Sequence, residues 1–401
     1  MDNSKTRNTI CQCLDLVPFE KLSPFEIHRL DRGVKKLRTV PMLKAFIAGQ
    51  LRNWNSYLGM EEGLRADKSL LAELEIDSIS GSQLSRRIAM LPTELLAELF
   101  THTVANVQAL CKNEKGVTLR IGKLNIIDST SFTLPMNLCK WARVKKDWTG
   151  VKAHVRLVVE NPDITYPGAV IPSTGNVFDT QGAHELVVID SDVTYVMDRG
   201  YIDYRQMDGW VLSRIDFVLR LTKRNKVRVI EMHPIALGSN ITLDARVKLG
   251  SRFRRMEQEV RLVEFVDETG REYRVVTTRW DLSAEEIAEI YKSRWLIELF
   301  FKWLKQHLPA AKIHSTNPQG IWNEIFLAMI AYLLSLYIKL SLQTTKSQWR
   351  VLELICHYAG QSWKAFTEAL WRKPSRSSKG RQKTQGPPKP VELSSNVAIV
   401  K

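Results

Sequence analysis

Two aspartates and one glutamate stand where carboxylates could converge. An apolar, strand-like stretch from Val117 ends on Asp128, and a second buried strand pattern, from Asp192, ends on Asp198. Side chains at the carboxyl ends of neighbouring strands in an open α/β sheet face the usual active-site crevice. Glu298 lies in a helical context and could be brought to the same point. Three carboxylates about one point repel unless cations separate them, and hard divalent ions such as Mg²⁺ or Mn²⁺ suit an all-oxygen donor set. Two such ions roughly 4 Å apart activate an attacking oxygen and stabilise a leaving one in phosphoryl transfer. Taken singly, each aspartate reads equally well as a turn former or helix cap. The set of three carries the signal.

The helix that must present Glu298 begins at Asp281-Leu-Ser-Ala-Glu-Glu, a capped start with acid in its first turn, and meets no Gly or Pro until Pro309. The spacing predicts one continuous helix. At about 100° per residue, Tyr291, Arg294, Glu298 and Lys305 share an arc of roughly 60°. Leu296, Ile297, Phe300, Phe301, Trp303, Leu304 and Leu308 take the apolar side. The polar stripe fits a salt-bridged edge of a half-buried helix. It fits equally a row that holds phosphates beside metal, with Arg294 as a fork and Lys305 as a point charge. Lys302 adjoins the stripe.

The sign of the charge favours the second use. The 401 residues include 58 Lys and Arg against 43 Asp and Glu, for a net charge of +15. That balance points to a polyanionic partner, nucleic acid before an acidic membrane surface. The five cysteines, Cys11, Cys13, Cys111, Cys139 and Cys356, are odd in number and scattered. They argue against a disulfide framework or a zinc site and for reduced thiols in a cytoplasmic protein. The N-terminus lacks the apolar run of a signal peptide. The most apolar stretch, the fourteen residues Ile325 to Ile338, is too short to span a bilayer and is expected as a buried helix.

Periodicity divides the chain into six parts. Residues 1–110 read as helical and basic. Within them Ile76-Asp-Ser-Ile-Ser-Gly-Ser-Gln-Leu-Ser-Arg-Arg-Ile suits a short helix, a turn at Gly81 and a second helix exposing Ser82, Gln83, Ser85, Arg86 and Arg87. Such residues fit a helix-turn-helix in a DNA major groove, or an ordinary helical hairpin with a basic edge. Residues 111–225 form a mixed α/β unit carrying both aspartates, with helix expected near His184 to Ile189. Residues 226–280 read as antiparallel β, from alternation at Val227–Ile230, Glu259–Val266 and Glu272–Thr278 and a turn at Asp267-Glu-Thr-Gly270. Residues 281–345 hold the Glu298 helix, and 346–372 a C-terminal amphipathic helix. Residues 373–401 are low-complexity and basic, and are expected to be disordered.

The spacing of Tyr291, Arg294, Glu298 and Lys305 resembles the Tyr-(2)-Arg-(3)-Glu-(6)-Lys signature of the fourth family of bacterial insertion-sequence transposases. Ile127-Asp128-Ser-Thr and Met197-Asp198-Arg-Gly-Tyr look like that family's two Asp blocks. The resemblance covers roughly residues 8 to 345. It implies a ribonuclease-H-like catalytic core interrupted by an antiparallel β insertion, with an all-helical DNA-binding domain ahead of it. It implies a DDE transposase that binds terminal inverted repeats, nicks DNA with metal-activated water, forms a hairpin and transfers strands into target DNA. Asp128, Asp198 and Glu298 would ligate two Mg²⁺ or Mn²⁺ ions, and Tyr291, Arg294, Lys305 and Lys302 would position DNA. The expected active form is a homodimer synapsing two ends at the nucleoid. The family also uses a tryptophan in or near the β insertion for a flipped base. Trp280 is the candidate, with Phe253 a weaker alternative, although Trp280 reads more readily as a core aromatic at the end of the last β strand. The competing functions are a non-catalytic DNA-binding regulator derived from a transposase, and a structure-specific ribonuclease-H-like nuclease.

Overall fold

Strand β5 (Val193–Met197) is buried along its whole length, as its uninterrupted Val-Thr-Tyr-Val-Met requires. A computed structural model describes residues 7–190, 192–307 and 313–372. In it β5 lies at the middle of an eleven-stranded mixed sheet. On one side β5 pairs in parallel with β1 (Lys123–Thr133), and on the other with β6 (Asp216–Arg220). Beyond β1 the sheet continues antiparallel through β3 (Trp148–Asn161), which pairs with both β2 (Arg143–Lys145) and β4 (Ile164–Thr174).

Beyond β6 lie β11 (Glu272–Thr277), β10 (Val260–Val266), β8 (Ile241–Ser251) and β7 (Val227–Met232), with the short β9 (Arg254–Arg255) against β8. β11 pairs directly with β6, through Val276↔Leu219 and its neighbours. Residues 226–280 therefore extend the central sheet. The turn at Asp267–Gly270 is present, with Asp267 accepting from the backbone N–H groups of Thr269 and Arg271. Strand β8 was not among the expected strands, although Ile241-Thr-Leu-Asp-Ala-Arg-Val alternates as the others do.

Alternation along the central strands feeds two cores. Ile126, Val196 and Val218 enter one, and Ile127, Tyr195, Met197, Phe217 and Leu219 the other. The second core is covered by α8 (Asp179–Leu186), α9 (Tyr204–Leu212) and the inner faces of β8 and β10. Helix α8 begins five residues earlier than expected and ends at Leu186, short of Ile189.

The first core holds the remaining helices. Among the described residues, 9–110 contain no strand and form α1 (Thr9–Asp15), α2 (Pro24–Asp31), α3 (Thr39–Leu51), α4 (Tyr57–Ala66), α5 (Lys68–Glu73), α6 (Gly81–Met90) and α7 (Thr93–Leu110). After the insertion come α10 (Ala284–Lys292), α11 (Trp295–His307), α12 (Pro318–Ser341), α13 (Gln348–Tyr358) and α14 (Trp363–Trp371).

Three helix expectations need correction. The single helix over the Glu298 region is broken at Ser293–Arg294. Ser293 caps α10, and its hydroxyl bonds back to the Glu289 carbonyl, giving the backbone an alternative to continuing. The C-terminal helix is two helices, parted at Ala359–Ser362, where Ser362 caps the second. The apolar helix is longer than fourteen residues: α12 has 24, enough by length and composition to cross a bilayer, and 89% of its most apolar window is buried inside the protein. The basic tail, 373–401, lies outside the described residues.

Helix α12 is the axis of the helical layer, packed by α7, α6, α3 and α13. It carries Glu324, buried at 6% exposure. The Glu324 carboxylate accepts from the Tyr57 hydroxyl and from the backbone N–H groups of His314 (2.9 Å) and Ser315 (3.2 Å). Burial nonetheless raises its pKa from 4.5 to about 7. A carboxyl raised on folding contributes stability that is fully present below pH 4.5 and is lost as pH rises through about 7. Glu324→Gln is expected to flatten that slope, which is worth on the order of 3 kcal/mol for a shift of this size. Denaturant midpoints taken at about pH 5 and pH 8 check it: the variant loses less stability across the interval than the wild type, the remaining loss coming from Asp128.

Candidate active site

The parallel register fixes the two aspartates. Ile127 pairs with Met197, so the residues that follow, Asp128 and Asp198, leave the β1–β5 ladder at the same level. Asp198 stands just past β5 and caps a single 3-10 turn, its Oδ1 accepting from Gly200 N–H at 2.7 Å. Asp128 does not end its strand. β1 runs on to Thr133 against β3, with Asp128 opposite Val155. What ends at Ile127 is the parallel pairing, and that opens the crevice.

The Asp128 carboxylate accepts from the N–H of Ser129 at 2.8 Å. Burial, with the nearby charges of Asp198 and Asp179, raises its pKa to about 6 despite the Ser129 bond and the Arg294 charge. Tyr201, fully buried, faces the same three aspartates, and burial together with their charges pushes its phenol well above its usual range. Asp128, Asp179 and Asp198 therefore share one neighbourhood.

Glu298 approaches from the other side of Arg294. Arg294 occupies the break between α10 and α11, and donates to Glu298 Oε1 at 2.5 Å while lying 3.6 Å from Asp128 Oδ2. Its guanidinium thus bridges the first aspartate and the glutamate. Burial opposes that charge, but the bond to Glu298 and the adjoining Tyr291, Glu298 and Asp128 charges outweigh it and raise the Arg294 pKa. Tyr291, on α10, is 4% exposed, lies tilted against Tyr273 with ring centroids 5.7 Å apart and faces Arg220 and Arg294. It supports Arg294 from the core and presents little surface of its own. Lys305, on α11, donates to the Ser131 carbonyl at 3.1 Å and lies 5.5 Å over the Phe132 ring, so it is tied to β1 three residues beyond Asp128. Lys302 is exposed.

The donor set fits a hard divalent ion in kind: Asp128, Asp198 and Glu298 offer only carboxylate oxygens, and Asp128 is crowded by like charge. Among the described residues no three His, Cys, Asp or Glu side chains converge closely enough to hold one ion. The Arg294 bridge supplies the positive charge between Asp128 and Glu298 in this arrangement.

Other expected contacts fall elsewhere. Trp280 is 43% exposed, with the Arg246 guanidinium 5.0 Å over its ring. Its neighbour Arg279 binds the Ile121 carbonyl and Thr194 Oγ1, at the starts of β1 and β5. Trp280 therefore lies toward the end of the strands opposite the carboxylates. In the helical part, Ile76–Ile79 form no helix, so the expected short helix before Gly81 is absent. Ser80 and Gln83 make a capping box at the start of α6, which occupies the Gln83 side chain. Arg87 is held by Asp31 at 3.5 Å and by Thr39 Oγ1 at 3.3 Å. Of the five residues expected to face a groove, Ser82 and Arg86 are exposed.

Sequence reasoning missed Asp179. It ends no strand, yet it opens α8 and joins the cluster. The cap-like acid before a helix was the available signal.

Residues 122–334, just over half of the chain, match the family described as Transposase DDE domain, and the chain belongs to that family. The matched segment spans β1 through most of α12 and includes all three carboxylates. A Geobacillus stearothermophilus protein, named as a probable transposase for insertion sequence element IS5377, is 31% identical over 261 residues, covering 63% of this chain and 66% of its own. A Sinorhizobium fredii protein, also named as a transposase (y4zB), is 31% identical over 248 residues, covering 61% of this chain and 67% of its own. The chain thus spans about two thirds of the length of these relatives.

Proposed function

We propose that this protein is a DDE transposase that binds the terminal inverted repeats of its own insertion sequence and cuts and joins DNA there. The observation that carries the reading is the Ile127↔Met197 register, which sets Asp128 and Asp198 side by side inside the matched segment. On this reading β1, β3, β4, β5 and β6 with their helices are a ribonuclease-H-like core, β7–β11 its β insertion, and Tyr291, Arg294, Glu298 and Lys305 the signature of insertion-sequence family four. The helices before β1 bind the ends, with Arg86 facing DNA. The protein acts in the cytoplasm, on the nucleoid, as a homodimer that holds two ends together.

Asp128, Asp198 and Glu298 would hold Mg²⁺ or Mn²⁺, two ions in all, which when bound supply activation of the attacking oxygen and stabilisation of the leaving one. Arg294 keeps Glu298 beside Asp128 and presents a forked donor for a phosphate. Lys305 adds a fixed positive charge along β1. A groove of about 570 Å³ beside Arg199, the residue after Asp198, is lined by Arg199, Arg220, Lys223, Arg224 and Arg274 and by Glu272, which pairs with Lys223 at 2.9 Å; its excess of positive charge suits a run of backbone phosphates.

The test uses purified protein, a labelled inverted-repeat end and Mg²⁺. Nicking at the end, abolished by Glu298→Gln while end binding persists, supports the proposal. End binding without cleavage under any divalent ion would leave a DNA-binding regulator, and cutting of branched DNA without end preference a structure-specific nuclease.

A further inference from the structure

We infer that Asp179 is a positioning residue for Asp128, the first aspartate of the site, an inference that rests on the transposase reading above. Its carboxylate lies on the α8 face of the sheet and is held there by two groups, with a neutral imidazole beside it. Ser129 Oγ donates to Asp179 Oδ1 at 2.8 Å, Lys152 Nζ lies 3.1 Å from the same oxygen, and His154 Nδ1 lies 3.7 Å away. Lys152 is fixed in turn by the Val177 carbonyl at 3.1 Å, and the fully buried His154 by Ser173 Oγ at 2.9 Å. The β1–β3 ladder places Ser129 opposite His154 and Ser131 opposite Lys152, so the partners come from one patch of two paired strands. A carboxylate in the first turn of α8 is also favoured by the helix dipole.

Ser129 makes the connection to Asp128. Its hydroxyl donates to Asp179 while its N–H donates to Asp128 Oδ1. Asp179 therefore pins the peptide that orients the first aspartate. It also lies close to the second at Gly200: a Cβ there would lie 3.0 Å from Asp198 Oδ1 and 3.6 Å from Asp179 Oδ2, so the two carboxylates flank the turn that Asp198 caps. One side chain thus braces the backbone that carries Asp128 and stands beside the turn that carries Asp198. Groups that orient carboxylate ligands in this way commonly affect metal affinity or activity by about 10–100-fold.

The experiment compares wild type, Asp179→Asn, Asp179→Ala, Ser129→Ala and the Ser129→Ala/Asp179→Ala double variant. It reads Mn²⁺ affinity by calorimetric titration of the DNA-free protein, and end binding and cleavage separately. Asp179→Ala is expected to weaken Mn²⁺ binding and to slow cleavage about 10–100-fold at unchanged end affinity. Asp179→Asn, which keeps the acceptor for Ser129, is expected to recover most of the loss. The double variant should lose no more than the worse single, because the two side chains act through one bond. Unchanged Mn²⁺ affinity in both Asp179 variants, or fully additive losses with Ser129→Ala, would overturn the inference while leaving the transposase reading intact. A wild type that binds Mn²⁺ but cuts no end would sink that reading and leave the Asp179 comparison decided by the titrations. A wild type that binds no Mn²⁺ overturns both.

Discussion

Asp128→Asn is expected to remove cleavage, by at least about 10²–10³-fold as for other groups that act on developing charge in a transition state, and at the same time to stabilise the metal-free protein. The amide keeps the size of the side chain and its contact with Ser129 N–H. It gives up the charge that the proposed ions need. The stability gain follows from the raised pKa. A carboxyl held at about 6 in the folded chain, against 3.8 unfolded, costs stability as pH rises through that interval. At about pH 7.5, in chelator, the variant escapes a penalty on the order of 2–3 kcal/mol. Its partner Arg294 retains Glu298, so the bridge loses one end only. Thermal melts and end-cleavage assays on the same preparation check both halves. A variant that is inactive and clearly less stable than wild type would contradict the account of why Asp128 titrates high.

The largest stability effect lies away from the carboxylates. Arg261 on β10 and Asp244 on β8 form a two-pronged ion pair, at 2.9 and 2.7 Å, with side chains only 8% and 6% exposed. Arg261 also donates to the carbonyls of Leu282 (2.6 Å) and Arg279 (3.2 Å), just before α10. Arg261→Met leaves Asp244 buried without its cation and is expected to cost about 3–5 kcal/mol. Arg261→Met with Asp244→Leu removes both charges and is expected to recover much of that, short of the about 1 kcal/mol for each carbonyl left without a donor. Urea unfolding of the two variants measures the difference. Equal losses in both would mean that the carbonyl bonds, and not the paired charge, do the stabilising.

The residue types at the site were legible in sequence, and their spatial relations were not. A strand ending in Asp is readable. That β1 and β5 are parallel neighbours in a register that aligns Asp128 with Asp198 depends on pairing across some seventy residues, which no local pattern carries. The helix break at Ser293–Arg294 was hidden because neither Gly nor Pro marks it, and Ser, fair at helix ends, reads as tolerable inside one. The break matters for the stripe. On one continuous helix Tyr291 and Arg294 would share a face with Glu298, whereas here Tyr291 turns into the core and only Arg294 meets the carboxylates. Gln83 and Arg87 misled for a related reason. A polar residue near a helix start serves a groove or a cap equally, and only the fold shows that a cap and an ion pair had already taken them.

The helices that open and close the described chain touch. Asn8 forms a bridge with Ser362, and the N–H groups of Thr9 and Ile10 donate to the carbonyls of Gln361 and Ala359 at 2.7 and 3.0 Å. During synthesis, then, α1 emerges first and waits for its last partners until residues 359–362 have left the ribosome. Until that moment Ile10, Cys13 and Leu14, all buried in the finished protein, lack their cover. A nascent chain halted after α12 would keep every carboxylate of the site yet have an unclosed helical layer, open to proteases and chaperones.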